Sequence, residues 1–413
     1  MKEKEIQEQY LQWCSQMQTN TQGALEKLRQ TMAPALYAEQ SDSAMAVKLE
    51  EVKRIVIIRL DEIGDVTLMS GMLRELRRNA PQARITLVVK NGVCDLVRCC
   101  PYIDEVLGFD SGELLKQGGV MKVLQEMGEF CAHRFWGQQI DLCLVPRYDF
   151  DRYFATILAY VSGAKRRVGF SEKATPWKAS KNKGFDQLLT DVVPVGRLAH
   201  EAEHNYAMLR FLGGSVQKAA LELWVEEAAK RWALALLDQY RQHDRIVLSL
   251  GPGRSRRTWP VERMIEVDNR LHELGKKVVF VLLGTKEELE NAELFQRQSA
   301  CEVLNLVGKT TLQQTGAVLQ QCQMYLGRNT GILHMAAAAN LKIVEISCYP
   351  QVASSWGIDS PVRFRAWCEH RILLQPNVAM EPCKNVCEKN EPHCILQVTE
   401  EQVLNALTLF LEN

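Results

Sequence analysis

The feature that most constrains the fold is the run from Arg54 to Leu60, "RIVIIRL", which is apolar and β-branched along nearly its whole length. A strand exposed on one face alternates polar and apolar residues. A strand without that alternation is buried on both faces, as in parallel sheets covered by helices. Three carboxylates and a glycine follow at once (Asp61, Glu62, Gly64, Asp65), and then the helical stretch "VTLMSGMLRELRRNA". The segments "ARITLVVK", "GVCDLVRCC", "IDEVLGFD", "IDLCLVPR" and "RYFATILAYVSGA" continue the alternation of strand and helix. A second series runs through "DRIVLSLGPG", "VERMIEVDNRLHELG", "KKVVFVLLG", "KEELENAELFQRQ", "VLNLVG", "LQQTGAVLQQC", "MYLGRNTG", "ILHMAAAANL" and "KIVEISCY". Right-handed crossovers then imply two doubly wound parallel sheets in an α/β protein, with ligands bound where the carboxyl ends of their strands face each other.

The boundaries follow from the same pattern: a first domain at 51–214, a polar helical linker at 215–240 and a second domain at 241–413. Residues 1–50 are rich in Gln, Glu, Met and Ala, with Leu11, Met17, Leu25 and Leu28 at loose helical spacings. They read either as a helical extension, suited to contacts within an oligomer, or as a partly ordered tail.

Charge and cysteine usage exclude several classes. Fifty basic residues balance 50 acidic ones, so no global field draws the chain to nucleic acid or to an anionic membrane, and an anionic ligand must be met by a local pocket. There is no apolar run of transmembrane length, and the polar start "MKEKEIQEQYLQW" lacks the core of a signal peptide. Thirteen cysteines, an odd number scattered through strand-like and helical segments, point to reduced thiols. We therefore expect a cytoplasmic protein.

Four loops at strand ends carry the chemistry. In the first, Gly64 permits a sharp turn and Asp65 is either a helix N-cap or a general base, and one residue can be both. In the second, "LGPGRSRRTWPVERM", Arg254, Arg256 and Arg257 offer guanidinium forks suited to phosphate, and Arg256 stands where a dinucleotide fingerprint needs its third glycine. In the third, Glu287 and Glu288 follow Gly284 and Thr285; they complement a helix dipole or accept hydrogen bonds from a ribose or base. In the fourth, "YLGRNTGILHMAAAA", Asn329 and Thr330 cap a helix whose first N–H groups, with Gly331 allowing close approach, suit a pyrophosphate. His334 shares a face with Thr330.

These loops together resemble those of the glycosyltransferase family 9 heptosyltransferases, lipopolysaccharide core enzymes that transfer heptose from ADP-heptose. The resemblance spans roughly 51–410 and rests on "IIRLDEIGDVTLMSGMLRELRRNAP", "GAKRRVGF", "RRTWPVERM", "VVFVLLGTKEE" and "GRNTGILHMAAAA", in that order. It implies a GT-B fold: two Rossmann-like domains facing a cleft, with the acceptor held mainly by the first and the sugar nucleotide by the second. It implies Asp65 as catalytic base, Arg257 against the diphosphate, and Thr330, Gly331 and His334 at the donor phosphates; Asn329 beside them, and Arg254 and Glu287 from the loops read above, are expected as further donor-binding residues. The family usually has Asp where this chain has Asn329. An inverting transfer of this kind needs a carboxylate to take the acceptor proton and cationic and amide donors to meet the leaving ADP, so no cofactor is expected for catalysis. Asp61 and Glu62 are expected to be solvated groups on the acceptor side.

Near the C-terminus, "PCKNVCEKNEPHC" gathers Cys383, Cys387 and Cys394, with three and six residues between them. They can converge on a structural zinc or iron with Cys368 or His393 as fourth ligand, or remain reduced thiols in a surface loop. The stretch resembles the iron-bound finger of the autotransporter heptosyltransferases. Three functions stay open on these grounds: transfer of heptose to a lipopolysaccharide core or related glycan, transfer to protein hydroxyls of the autotransporter type, and a non-catalytic sugar-nucleotide-binding or scaffold protein. The basic, Trp-containing stretch from Lys165 to Lys183 is either a solvated loop or a surface for phosphorylated sugar or anionic lipid, which would place the protein peripherally at the inner face of the inner membrane.

Overall fold

A computed structural model describes residues 28, 30, 47–253, 255–355, 357 and 360–412. The expected N-terminal helical extension and Arg254 therefore lie outside the described residues, apart from Leu28, Gln30 and the last few positions before 51. Among the described residues there are two six-stranded parallel sheets. The first contains β1 (Arg54–Arg59), β2 (Arg84–Val89), β3 (Glu105–Gly108), β4 (Leu142–Val145), β5 (Arg166–Phe170) and β6 (Asp191–Val193), in the order β3-β2-β1-β4-β5-β6. The second contains β7 (Asp244–Ser249), β8 (Val278–Leu282), β9 (Glu302–Asn305), β10 (Met324–Arg328), β11 (Lys342–Ile346) and β12 (Arg371–Leu374), in the order β12-β11-β10-β7-β8-β9. Both are the doubly wound Rossmann order, in which the direction of winding reverses between the first and fourth strands. Those switch points fall between β1 and β4 and between β7 and β10, and they fix where each unit offers a site.

The unalternating runs are buried as their composition requires. Ile55 to Ile58 in β1 and Val278 to Leu282 in β8 are all at most 3% exposed. One core packs Val56, Ile58, Leu124, Phe135 and Leu158, and the other packs Ile246, Phe280, Phe295, Leu326 and Leu407.

The chain forms two compact units. The second takes in Ala220–Asn413 together with Leu198–Glu201 and Ile63–Ser70, the first turns of the helix Ile63–Asn79. The segment carrying Asp65 thus groups with the second unit although β1 belongs to the first.

Candidate functional site

The helix after β1 begins at Ile63, so Glu62 and not Asp65 occupies its N-cap position, and Glu62 makes no side-chain cap bond. Asp65 lies in the first helical turn, where a carboxylate complements the positive end of the helix dipole. Gly64 explains the tightness of this turn. A Cβ there would stand 2.7 Å from Cδ2 of His334 and 3.6 Å from Cα of Gly331. Reciprocally, a Cβ on Gly331 would meet Ile63 Cβ at 3.0 Å and Gly64 N at 3.5 Å. The turn bearing Asp65 and the N-terminus of the helix Gly331–Ala338 therefore approach backbone to backbone, which only residues without side chains allow.

That N-terminus lies at the switch point of the second sheet. Thr330 is its N-cap residue and makes no side-chain cap bond, so its hydroxyl does not occupy the first-turn N–H groups; Tyr325 Oη lies 3.4 Å from Thr330 Oγ1. His334 is buried and its Nδ1 has no hydrogen-bond partner among the described residues. Burial pushes its imidazole down to about 4, so it is neutral near pH 7. From the loop after β7, Arg257 Nη2 donates to the carbonyl of Asn329 at 3.0 Å. The Asn329 amide donates in turn to Glu345 Oε1 at 3.3 Å and to the carbonyl of Phe364.

Several contributors to this region carry no motif that singles them out. Of the two acids after β8, Glu287 is exposed and bonded to the Thr285 hydroxyl, whereas Glu288 turns inward and accepts from Gly251 N at 2.8 Å. Burial raises the Glu288 carboxyl above the usual range. The guanidinium of Arg328, the last residue of β10, is held below its ordinary value first by burial and then by the charge of Arg257. Glu345 stands in the apolar strand "KIVEI", 1% exposed, and burial lifts it to about 7. A carboxylate in a strand buried on both faces is the one sequence signal for it.

In the first unit, Asp61 is not solvated as expected. It is 6% exposed and ion-paired with Arg59 Nε at 2.8 Å and Arg147 Nη1 at 3.1 Å, a charge cluster at the carboxyl ends of β1 and β4. Glu62 is exposed but bonded to Lys90 and, at 2.8 Å, to Tyr153 Oη. The basic stretch is likewise mostly consumed internally. Lys178 is buried and donates to the carbonyls of Arg147 (3.0 Å), Tyr148 (3.3 Å) and Phe170 (2.9 Å), with burial lowering it to about 8. Arg167 is buried against the carbonyls of Leu188 and Ala164, while Lys165 and Arg166 pair with Asp141 and Asp191.

The C-terminal cysteines converge. Ligand atoms of Cys383, Cys387, His393 and Cys394 lie within 4.8 Å of one another, so His393 and not Cys368 completes the group. Cys368 sits apart, its Sγ 3.8 Å from the carbonyl of His370. Backbone N–H groups of Met380 and Glu388 donate to the sulfurs of Cys394 (3.4 Å) and Cys383 (3.3 Å), an environment that suits thiolate ligands. Three thiols and one imidazole fit a closed tetrahedral site for zinc or iron. This loop also reaches the arginine loop, where Arg256 Nη1 donates to the carbonyl of Cys387 at 3.0 Å and Arg256 N to that of Asn390 at 3.0 Å.

An open recess of about 520 Å³ lined by His243, His272, Lys276, Lys277 and Glu302 lies at the opposite, entering ends of β7, β8 and β9. Ligands of doubly wound sheets bind at the other end, so we assign the site to the switch point.

Two Rossmann-ordered sheets, the second with arginine, amide and hydroxyl donors gathered at its switch point, give the architecture of the GT-B fold. A profile of glycosyltransferase family 9 (heptosyltransferase) matches residues 155–391, more than half of the 413, and the chain belongs to that family. It is 22% identical over 308 residues to the lipopolysaccharide core heptosyltransferase OpsX of Haemophilus influenzae, covering 74% of this chain and 82% of that one. It is 20% identical over 354 residues to lipopolysaccharide heptosyltransferase 3 of Escherichia coli K12, covering 82% and 93%. Among solved structures, the glycosyl transferase family 9 protein of Veillonella parvula matches with a TM-score of 0.70 at 21% identity, over 89% of this chain and 99% of that one. The ADP-heptose lipopolysaccharide heptosyltransferase II of E. coli matches with a TM-score of 0.62 at 20% identity, over 87% and 98%. At these identities the structural matches bear on the fold. No helix among the described residues is long and apolar enough to cross a membrane.

Proposed function

We propose that the protein is an inverting heptosyltransferase that moves heptose from ADP-heptose to a hydroxyl of a lipopolysaccharide core or related glycan. The observation that carries this reading is the close approach of Gly64 to Gly331 and His334, which brings the turn bearing Asp65 against a helix N-terminus suited to a diphosphate. The acceptor oxygen attacks the anomeric carbon, its proton passes to Asp65, and the bond to the β-phosphate oxygen breaks with its electron pair leaving on ADP. Negative charge grows on that oxygen. Arg257, held by the Asn329 carbonyl, and the first N–H groups of the helix Gly331–Ala338 would stabilise it more in the transition state than in the bound donor. Neutral, buried His334 fills the space beside the turn without adding charge.

The Cys383, Cys387, His393 and Cys394 group would hold a structural zinc or iron, which supplies a cross-link that orders the loop against Arg256. The experiment for the main reading is release of ADP from ADP-heptose with and without lipopolysaccharide-core acceptor. Acceptor-dependent release supports it, and a sugar nucleotide turned over only with a protein acceptor would redirect it.

A further inference from the structure

The Asn329 amide anchors the loop after β10, and its partners explain why an amide stands there. Nδ2 carries two hydrogens and meets two acceptors, Glu345 Oε1 at 3.3 Å and the carbonyl of Phe364. The other oxygen of Glu345 accepts from Ala366 N at 2.9 Å. The carbonyl of the same Asn329 receives Arg257 Nη2, and the next residue is the helix N-cap Thr330. Glu345 is therefore linked through a single residue to both elements that the proposed function sets against the diphosphate.

We infer that Glu345 is a positioning residue for donor binding, acting through Asn329: its carboxylate and the Phe364 carbonyl together demand a double donor at 329 and so fix Arg257 and the start of the helix Gly331–Ala338. This rests on the donor reading above. A carboxylate at 329 has no hydrogen to give; it can meet Glu345 only when Glu345 carries a proton, and even then the Phe364 carbonyl loses its donor, while an amide at 345 would present N–H to N–H or break the bond from Ala366. The two errors compensate in part when combined, because a glutamine amide at position 345 can donate to a carboxylate at position 329 while still accepting from Ala366.

The test compares the wild type, Asn329→Asp, Glu345→Gln and the double variant, reading ADP affinity by calorimetry, the KM for ADP-heptose against kcat, and the thermal midpoint. Asn329→Asp should weaken ADP binding by about tenfold or more, the worth of one charge-assisted hydrogen bond. The double variant should bind ADP better than Asn329→Asp alone, and because Arg257 and the helix N–H groups act most on the charge that grows on the leaving oxygen, the loss should appear in kcat as well as in KM. If ADP fails to bind the wild type, the donor reading itself falls, and this inference with it. If the wild type binds ADP but the two losses simply multiply, or appear only in the thermal midpoint, the inference alone is overturned.

Discussion

A Cβ on Gly64 would stand 2.7 Å from Cδ2 of His334, a separation that side chains do not adopt, so the turn bearing Asp65 and the helix Gly331–Ala338 are fitted around a missing side chain. Gly64→Ala should cost about 1–3 kcal/mol of stability, as overpacking does, and should lower turnover by displacing Asp65. Chemical denaturation and steady-state kinetics on the same protein check both effects; a fully active, equally stable variant would mean that this packing is looser than the geometry indicates.

Lys178 behaves as a structural residue. Its ammonium satisfies three buried carbonyls, and Lys178→Met would leave them without a donor at roughly 1–3 kcal/mol for each buried group left unsatisfied. A marked fall in the unfolding midpoint is expected, in contrast to exposed Lys183, whose replacement by Ser should leave the midpoint within about a degree or two.

Two buried histidines set the acid limit. Burial lowers His200 to about 3 and His334 to about 4, so between those values and the ordinary value of 6.5 the unfolded chain binds the protons that the folded chain refuses. Their contribution to stability is present above pH 6.5 and is lost as pH falls through the folded values. Glu345, raised from 4.5 to about 7, acts in the opposite sense, adding stability that is full below its unfolded value and disappears as pH rises through its folded one. Glu288, whose carboxyl burial also raises, acts with Glu345, but the two histidines, lowered to about 3 and about 4, together outweigh them, and unfolding free energy measured from about pH 7 to about pH 5 should decline. The variant His200→Gln, which can still donate to the Arg365 carbonyl, should flatten the decline.

The C-terminal cluster predicts a stoichiometric metal. Elemental analysis of protein purified without chelator should find about one zinc or iron per chain, and Cys387→Ser should abolish it. Because Arg256 is tied to the Cys387 and Asn390 carbonyls, metal removal should also weaken ADP binding through the neighbouring Arg257.

Much of the fold is legible because β1, β7, β8 and β10 are apolar runs whose burial on both faces leaves no other arrangement. β5 is harder to read: "RRVGF" opens with two arginines and resembles a basic loop, and only tertiary carbonyl partners bury Arg167. The arginine, asparagine and threonine loops of the site are visible as motifs at strand ends. Which neighbour turns inward is not, since Glu287 and Glu288 differ only by one step of a 3₁₀ turn. Asp61 reads as solvated for a similar reason: its partner Arg147 lies far away in sequence, just past the end of β4, and only the pairing of β1 with β4 brings the two together.

The measurement that bears most directly on the central claim is acceptor-dependent ADP release by Asp65→Asn, with ADP-heptose affinity determined on the same protein. A drop in kcat of about a hundredfold to ten-thousandfold with donor affinity unchanged is the predicted result. Wild-type turnover in that variant would contradict it, because proton removal from the acceptor would then lie elsewhere.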